Sequence, residues 1–322
     1  MKHGGVKNLS DALSPGPEPV PVPAPAPSDV SAAADRIRPY ARRTPLLDLE
    51  VDGRRVLLKL EYLQRSGSFK LRGALNALLA MAPDDHVVAA SGGNHGLAVA
   101  TAASLLDRSA TVYVPVTVPE AKARRIEAAG ARLVRHGANF AEAASAALDV
   151  AARPGHRFVH PYDDPAVIVG QGTVGAEIVA DEPAVDTVVA AVGGGGLAAG
   201  TALAIAGRTV VAAEPEDCRC LHDALAAGKP VDSPVGSVAA SATGASRVGE
   251  VAFEVLAAHG VTSVLVSDEE ILGARDLLWE ECRIAVEPAA AISFAAWLAG
   301  RVPGKRPCLI ICGANADWTA AG

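Results

Sequence analysis

Basic charge is scarce in this chain: 29 Lys and Arg residues stand against 36 Asp and Glu, leaving a formal net charge of -7. Without a cationic footprint, nucleic acid and anionic membrane surfaces are excluded as partners. Cysteine is equally sparse. The five residues Cys218, Cys220, Cys282, Cys308 and Cys312 are odd in number and confined to the C-terminal third, which speaks against a disulfide framework and for a reducing cytoplasm. The opening segment MKHGGVKNLSDALSPG lacks the apolar stretch of a secretory signal. Residues 187–207 are uncharged and long enough to cross a bilayer on paper, but the four glycines 193–196 would break a lipid-exposed helix.

What is present in quantity is aliphatic. Half of the 322 residues are hydrophobic and only 4% are aromatic, so the core must be built from Ala, Val, Leu and Ile. After a Pro/Ala-rich leader, expected to be poorly ordered over 1–30, short β-branched runs alternate with Ala-rich windows. That alternation predicts an α/β fold of parallel βαβ units buried on both faces. Strands are expected at 56–60, 87–90, 111–115, 187–192, 209–214, 261–266 and 308–312, with helices over 120–129, 141–152, 269–281 and 289–299.

Glycine-rich turns after strands bring free backbone N–H groups to a helix N-terminus, where such sheets bind ligands. SGGNHG at 91–96, GGGGL at 193–197 and CGAN at 312–315 all qualify. A fourth segment, SGSFKLRG at 66–73, sets Lys70 among small residues. A lysine is by default a solvated surface group, but one in a tight, partly buried turn has a lowered pKa and becomes an amine nucleophile toward carbonyls. The glycine loop also fits a dinucleotide fingerprint: Gly193, Gly195 and Ala198 follow a strand, and Glu214 lies at the end of the next one. On that segment alone, an NAD-dependent dehydrogenase and a phosphate-bearing cofactor stand side by side.

Taken together, KLEYLQRSGSFKLRGA at 59–74, SGGNHG, HPYDDPAVIVGQGT at 160–173, GGGGLAAG, EPAAA at 287–291 and ICGAN closely resemble the serine/threonine dehydratase and serine racemase family. These are fold-type II pyridoxal-phosphate (PLP) enzymes, and the likeness runs in order from about residue 36 to 317. The resemblance implies a two-domain α/β architecture, with a larger PLP-binding domain from 31–80 plus 160–322 and a smaller one, 81–159, closing over the substrate. It implies that Lys70 carries PLP, with Phe69 near the ring and Asn94 at the phenolic oxygen. Gly193, Gly194, Gly195, Gly196 and Leu197 would hold the phosphate, and Cys312 would face the pyridine nitrogen. Ser91, Gly92, Asn94 and His95 would clasp the substrate carboxylate.

The implied reaction is β-elimination of L-threonine or L-serine to 2-oxobutanoate or pyruvate and ammonia, in a cytoplasmic homo-oligomer, a dimer. Racemisation and dehydration of another β-hydroxy amino acid such as 3-hydroxyaspartate are the alternatives. Racemases of the family carry a serine where this chain has Gly92, so little racemisation is expected. No further module follows Gly322, so feedback inhibition by isoleucine is not expected.

Three positions depart from the family pattern. Relatives often bind a divalent cation through a glutamate, a carbonyl and a second acid; Glu214 and Cys218 match the first two, but Cys220 replaces the acid. A hard cation wants oxygen ligands, so no metal is expected. Ser241 stands near a common aspartate, and Ala314 replaces a frequent glycine. The polar group His160, Tyr162, Asp163 and Asp164 is read as a domain connection.

Overall fold

The computed structural model describes residues 24–316. The first part of the expected leader, 1–23, lies outside the described residues. Its end is corrected, because helix α1, Pro27–Ile37, begins inside it and buries Val30, Ala33 and Ile37. Proline at the first turn suits a helix start, since the missing N–H would have had no acceptor there.

The chain then forms β1 (Leu46–Val51), β2 (Arg54–Lys59), a 3₁₀ turn at Glu61–Leu63, and α2 (Lys70–Ala80). Next come β3 (His86–Ala90), α3 (Asn94–Leu105), β4 (Ala110–Val114), α4 (Glu120–Ala128), β5 (Arg132–Arg135), α5 (Phe140–Ala151) and β6 (His156–Phe158). The last stretch comprises α6 (Pro165–Asp181), β7 (Thr187–Ala191), α7 (Gly196–Ala204), β8 (Thr209–Pro215), α8 (Cys220–Ala227), the short α9 (Ala240–Thr243), α10 (Glu250–Ala258), β9 (Thr262–Val266), α11 (Asp268–Cys282), α12 (Pro288–Leu298) and β10 (Pro307–Ile310).

These strands make two sheets. The larger runs β1-β2-β10-β7-β8-β9 and the smaller β5-β4-β3-β6. Every pairing between these strands is parallel except the β1/β2 hairpin. Parallel strands need crossover helices on both faces, which is why central strands such as β7 are buried at every position. The uncharged run 187–207 divides between β7 and α7, and among the described residues no helix is long and apolar enough to cross a membrane.

Helix α2 joins the two units. Its Leu71, Leu75 and Leu78 enter the core of the smaller sheet with Val87, Ala89 and Val112, although the sequence assigns 31–80 to the larger unit. Its opposite side lies against α6, where a Cβ at Gly170 would stand 2.7 Å from the Arg72 carbonyl. The expected strand 308–312 also ends earlier, at Ile310. Cys312 therefore sits in the turn beyond β10, which pairs with β7, and it lines one cavity with Asn94 of the second glycine-rich turn and the glycines 193–196 of the third.

Candidate active site

All nine residues expected to hold the cofactor line one cavity: Phe69, Lys70, Asn94, the glycines 193–196, Leu197 and Cys312. All four expected at the substrate carboxylate, Ser91, Gly92, Asn94 and His95, line an adjoining cleft of about 700 Å³. Lys70 and Asn94 belong to both, so the two spaces meet at these side chains.

Lys70 is the first residue of α2, and its Nζ donates to the Pro161 carbonyl at 2.7 Å. No carboxylate pairs with it among the described residues. Burial lowers its pKa from 10.5 to about 8, because an ammonium leaving water without a counter-ion loses more than the neutral amine does. Its Nζ lies 5.3 Å from the centre of the Phe69 ring.

Across the cavity, the glycine loop leads into α7, whose first-turn N–H groups have no helical acceptor and favour an anion. Gly195 adopts φ +94, a left-handed conformation that side chains rarely take. At Gly194 a Cβ would overlap the Tyr162 ring. A loop with room for backbone only, opening onto a lysine with an easily lost proton, fits a phosphorylated aldehyde such as PLP.

Asn94 is held from two sides. Its Nδ2 donates to Glu287 Oε1 at 2.6 Å, and its Oδ1 accepts from Asn315 Nδ2 at 2.8 Å. Burial raises the Glu287 carboxyl above its ordinary pKa, and the Asn94 hydrogen bond partly offsets this. Sequence reasoning quoted the stretches containing Glu287 and Asn315 but gave these residues no role. It also assigned Tyr162 to a connection, yet Tyr162 lines both spaces. Asp163 and Asp164 do connect elements: their carboxylates accept from the first N–H groups of α10 and α6.

Cys312 is buried, and burial raises its thiol pKa above the ordinary value, so it meets the cavity uncharged. His95 is buried and neutral, its pKa lowered to about 3 by burial and then by the Lys70 charge, and its Nε2 donates to the Val159 carbonyl at 2.9 Å. Ser91 Oγ accepts from Gly93 N at 3.2 Å. Glu214 has another occupation: its two carboxylate oxygens accept from Leu221 N and His222 N, both at 2.8 Å, at the start of α8. Cys218 is buried beside it, and the Cys220 thiol donates to the Gly193 carbonyl at 3.1 Å. Among the described residues no group of three or more His, Cys, Asp or Glu could hold a metal ion.

A family profile described as "Pyridoxal-phosphate dependent enzyme" matches residues 37–313. This chain belongs to that family. It is an α/β enzyme of fold type II and uses pyridoxal phosphate, which disposes of the nicotinamide alternative. It is 35% identical to an L-threonine ammonia-lyase of Thermotoga maritima over 301 residues, covering 90% of this chain and 75% of the relative. A catabolic L-threonine dehydratase of Staphylococcus aureus is 34% identical over 308 residues, covering 90% and 89%. Among solved structures, a threonine deaminase of T.th. superposes with a TM-score of 0.86 at 36% identity, covering 92% of this chain and all of that one. Maize serine racemase gives 0.85 at 29% identity, covering 91% and 94%.

Proposed function

We propose that this chain is a lyase that dehydrates and deaminates L-threonine, L-serine or both, releasing 2-oxobutanoate or pyruvate and ammonia. The observation that carries the reading is the Lys70 amine, its pKa lowered to about 8, at the junction of the glycine-loop cavity and the wider cleft. The dehydratase names of the similar proteins support it.

Bound pyridoxal phosphate supplies an electron sink for the charge that develops at Cα. Lys70 and Phe69 would border it, the 193–197 amides would hold its phosphate, and Asn94, oriented by Glu287 and Asn315, would meet its ring oxygen. Cys312 would offer the ring nitrogen a neutral thiol, which could not hold it protonated as a carboxylate would. A weaker sink would suit elimination of the β-hydroxyl. The 91–95 turn and the N-terminus of α3 bind the substrate carboxylate. The freed Lys70 amine, held close to Cα, accepts its proton. Closure of unit 81–159 over the cleft, which both units line, excludes water.

Racemisation needs a proton donor on the opposite face. Glycine at 92 has none, and a Cβ there would stand 2.7 Å from Val118 Cγ2. The chain therefore makes little D-serine from L-serine. In the same reading it works as a cytoplasmic homodimer. Its five unpaired cysteines suit a reducing compartment, and sedimentation of the purified protein checks the assembly.

The test is a visible spectrum before and after borohydride, followed by L-threonine with a 2-oxo-acid readout. A yellow chromophore lost on reduction, absent in Lys70→Ala, with 2-oxobutanoate released, is the expected result. A yellow protein inactive on both threonine and serine overturns the substrate assignment.

A further inference from the structure

The carbonyls of the glycine loop are all fastened on the side away from the cavity. Gly195 O accepts from Ala199 N at 2.9 Å, at the start of α7, and Gly194 O accepts from Gly249 N at 3.1 Å, just before α10. The Gly193 carbonyl has one partner among the described residues, and it is a side chain: the Cys220 thiol donates to it at 3.1 Å. The N–H groups of 194–197 have no acceptor among the described residues, and these four residues line the cavity that holds Lys70. In a trans peptide the C=O and N–H point in opposite directions, and among the described residues no peptide is cis. Holding Gly193 O toward Cys220 therefore turns Gly194 N–H away from it, to the cavity side.

Glycine on both sides of this peptide leaves little steric resistance to its rotation, so its orientation depends on what holds the oxygen. The thiol is itself placed by the sheet. The loop leaves β7, Cys220 opens α8 beyond β8, and the two strands are paired with Ala191 opposite Ala213. Val192 N donates to Ala213 O at 2.9 Å. The Glu214 carboxylate accepts from Leu221 N and His222 N, the two residues after Cys220, each at 2.8 Å. Cys220 is buried and burial raises its thiol pKa, so the sulfur keeps the proton it donates.

We propose that Cys220 is a positioning residue whose thiol, by holding the Gly193 oxygen, sets the Gly194 amide for the phosphate of the cofactor. The inference rests on placing that phosphate at the 193–197 amides and is independent of which amino acid is consumed. Cys220 lines neither the cofactor cavity nor the substrate cleft, so it acts only through the loop. A small buried hydrophobe would fill the same space; the proton on sulfur is what separates the two roles. Without that donor, either the carbonyl stays buried and unpaired or the peptide turns and presents its oxygen to the phosphate. Both weaken the hold on the phosphate and leave Lys70 able to reach the aldehyde.

The test measures, by absorbance titration of the full-length protein, the dissociation constants of pyridoxal phosphate and of pyridoxal, which lacks the phosphate. Their ratio isolates the contribution of the phosphate, whereas a merely structural role would weaken both ligands together. Cys220→Ser keeps a donor, Cys220→Val keeps bulk without one, and Cys220→Ala removes both; thermal midpoints show that each variant is folded, and valine against serine carries the comparison should alanine not fold. The preference for the phosphorylated aldehyde should fall about 10-fold in the valine and alanine variants and stay within about 2-fold of the parent in serine. An unchanged preference in valine, or one lowered as far in serine as in valine, overturns the proposal. Gly195→Ala, which strains the φ +94 conformation of the loop itself, tells the two assignments apart. If it lowers the preference and valine does not, the loop holds the phosphate and Cys220 plays no part. If neither does, the phosphate lies elsewhere and both assignments fail.

Discussion

Lys70 and Arg72 stand two residues apart at the start of one helix, and the protein treats their charges in opposite ways. Arg72 is 1% exposed and meets the Glu61 carboxylate with two nitrogens, each at 2.8 Å. It also donates to both oxygens of Glu177, at 2.8 and 2.9 Å. Glu177 in turn accepts from Lys59, 0% exposed, at 2.7 Å. Burial works against each of these charges, yet the pairing wins: Arg72 is raised above its ordinary pKa and Glu177 is held below its own. Lys70 receives a single backbone carbonyl and no carboxylate, and there burial wins. Where a charge fastens α2 to the 61 turn and to α6, it is matched. Where an amine must give up its proton, it is left unmatched.

The comparison breaks most visibly at Lys70. Lys70→Ala should lower kcat by at least the 10²- to 10⁴-fold that a positioned base contributes, with thermal stability close to that of the parent. A comparable loss of stability would mean that Lys70 is structural after all. Arg72→Met should show the opposite profile. It strands Glu61 in the interior, a change that costs about 3–5 kcal/mol, read as a lower urea midpoint with an unchanged slope. Kinetics of the surviving folded fraction near the parent value would confirm that the two residues divide the labour.

The sequence made one half of this contrast legible and not the other. Lys70, Asn94, Cys312 and the glycine loop are short motifs whose chemistry depends on neighbours in the chain, and they fall on one cavity. The βαβ alternation likewise put seven strands near their observed places. Leu46–Val51, Arg132–Arg135 and His156–Phe158 were missed, being short or polar strands at or near sheet edges with mixed exposure. The Glu61, Arg72, Glu177 and Lys59 network joins residues up to 118 positions apart, and no local spacing marks such partners. Glu214 was weighed as a metal ligand because its use as a helix cap depends on where α8 begins.

A finer separation concerns Glu287, which lines the cofactor cavity and accepts from Asn94. Glu287→Gln keeps an oxygen acceptor for Asn94 Nδ2, whereas Glu287→Ala removes it. The alanine variant should weaken pyridoxal-phosphate retention by roughly the 1–3 kcal/mol of a lost buried hydrogen bond and shift the absorption maximum of the bound chromophore. The glutamine variant should restore most of both. If glutamine fails as badly as alanine, the carboxyl's charge rather than its acceptor oxygen is what matters to Asn94.

The smallest effect is a pH dependence that only one of the two buried cations should show. The free Lys70 amine is the form that attacks an aldehyde, and its folded pKa of about 8 lies below the 10.5 of an exposed lysine. Uptake of pyridoxal phosphate by the apoprotein should therefore climb about tenfold per unit on approaching pH 8 from below and level off above it. Linkage gives the matching sign for stability. Between about pH 8 and 10.5 the unfolded chain holds a proton on this lysine that the folded chain has released, so Lys70 contributes stability that grows as pH rises through that window, against the falling contribution of the buried thiols Cys220, Cys308 and Cys312, whose pKa burial raises. Arg72, paired and charged throughout, contributes no slope there. Lys70→Met should remove only the rising contribution, so that the slope of stability against pH between about pH 8 and 10.5 becomes more negative by up to about 1.4 kcal/mol per unit. A slope unchanged by this substitution would remove the physical basis for treating Lys70 as an amine poised by burial.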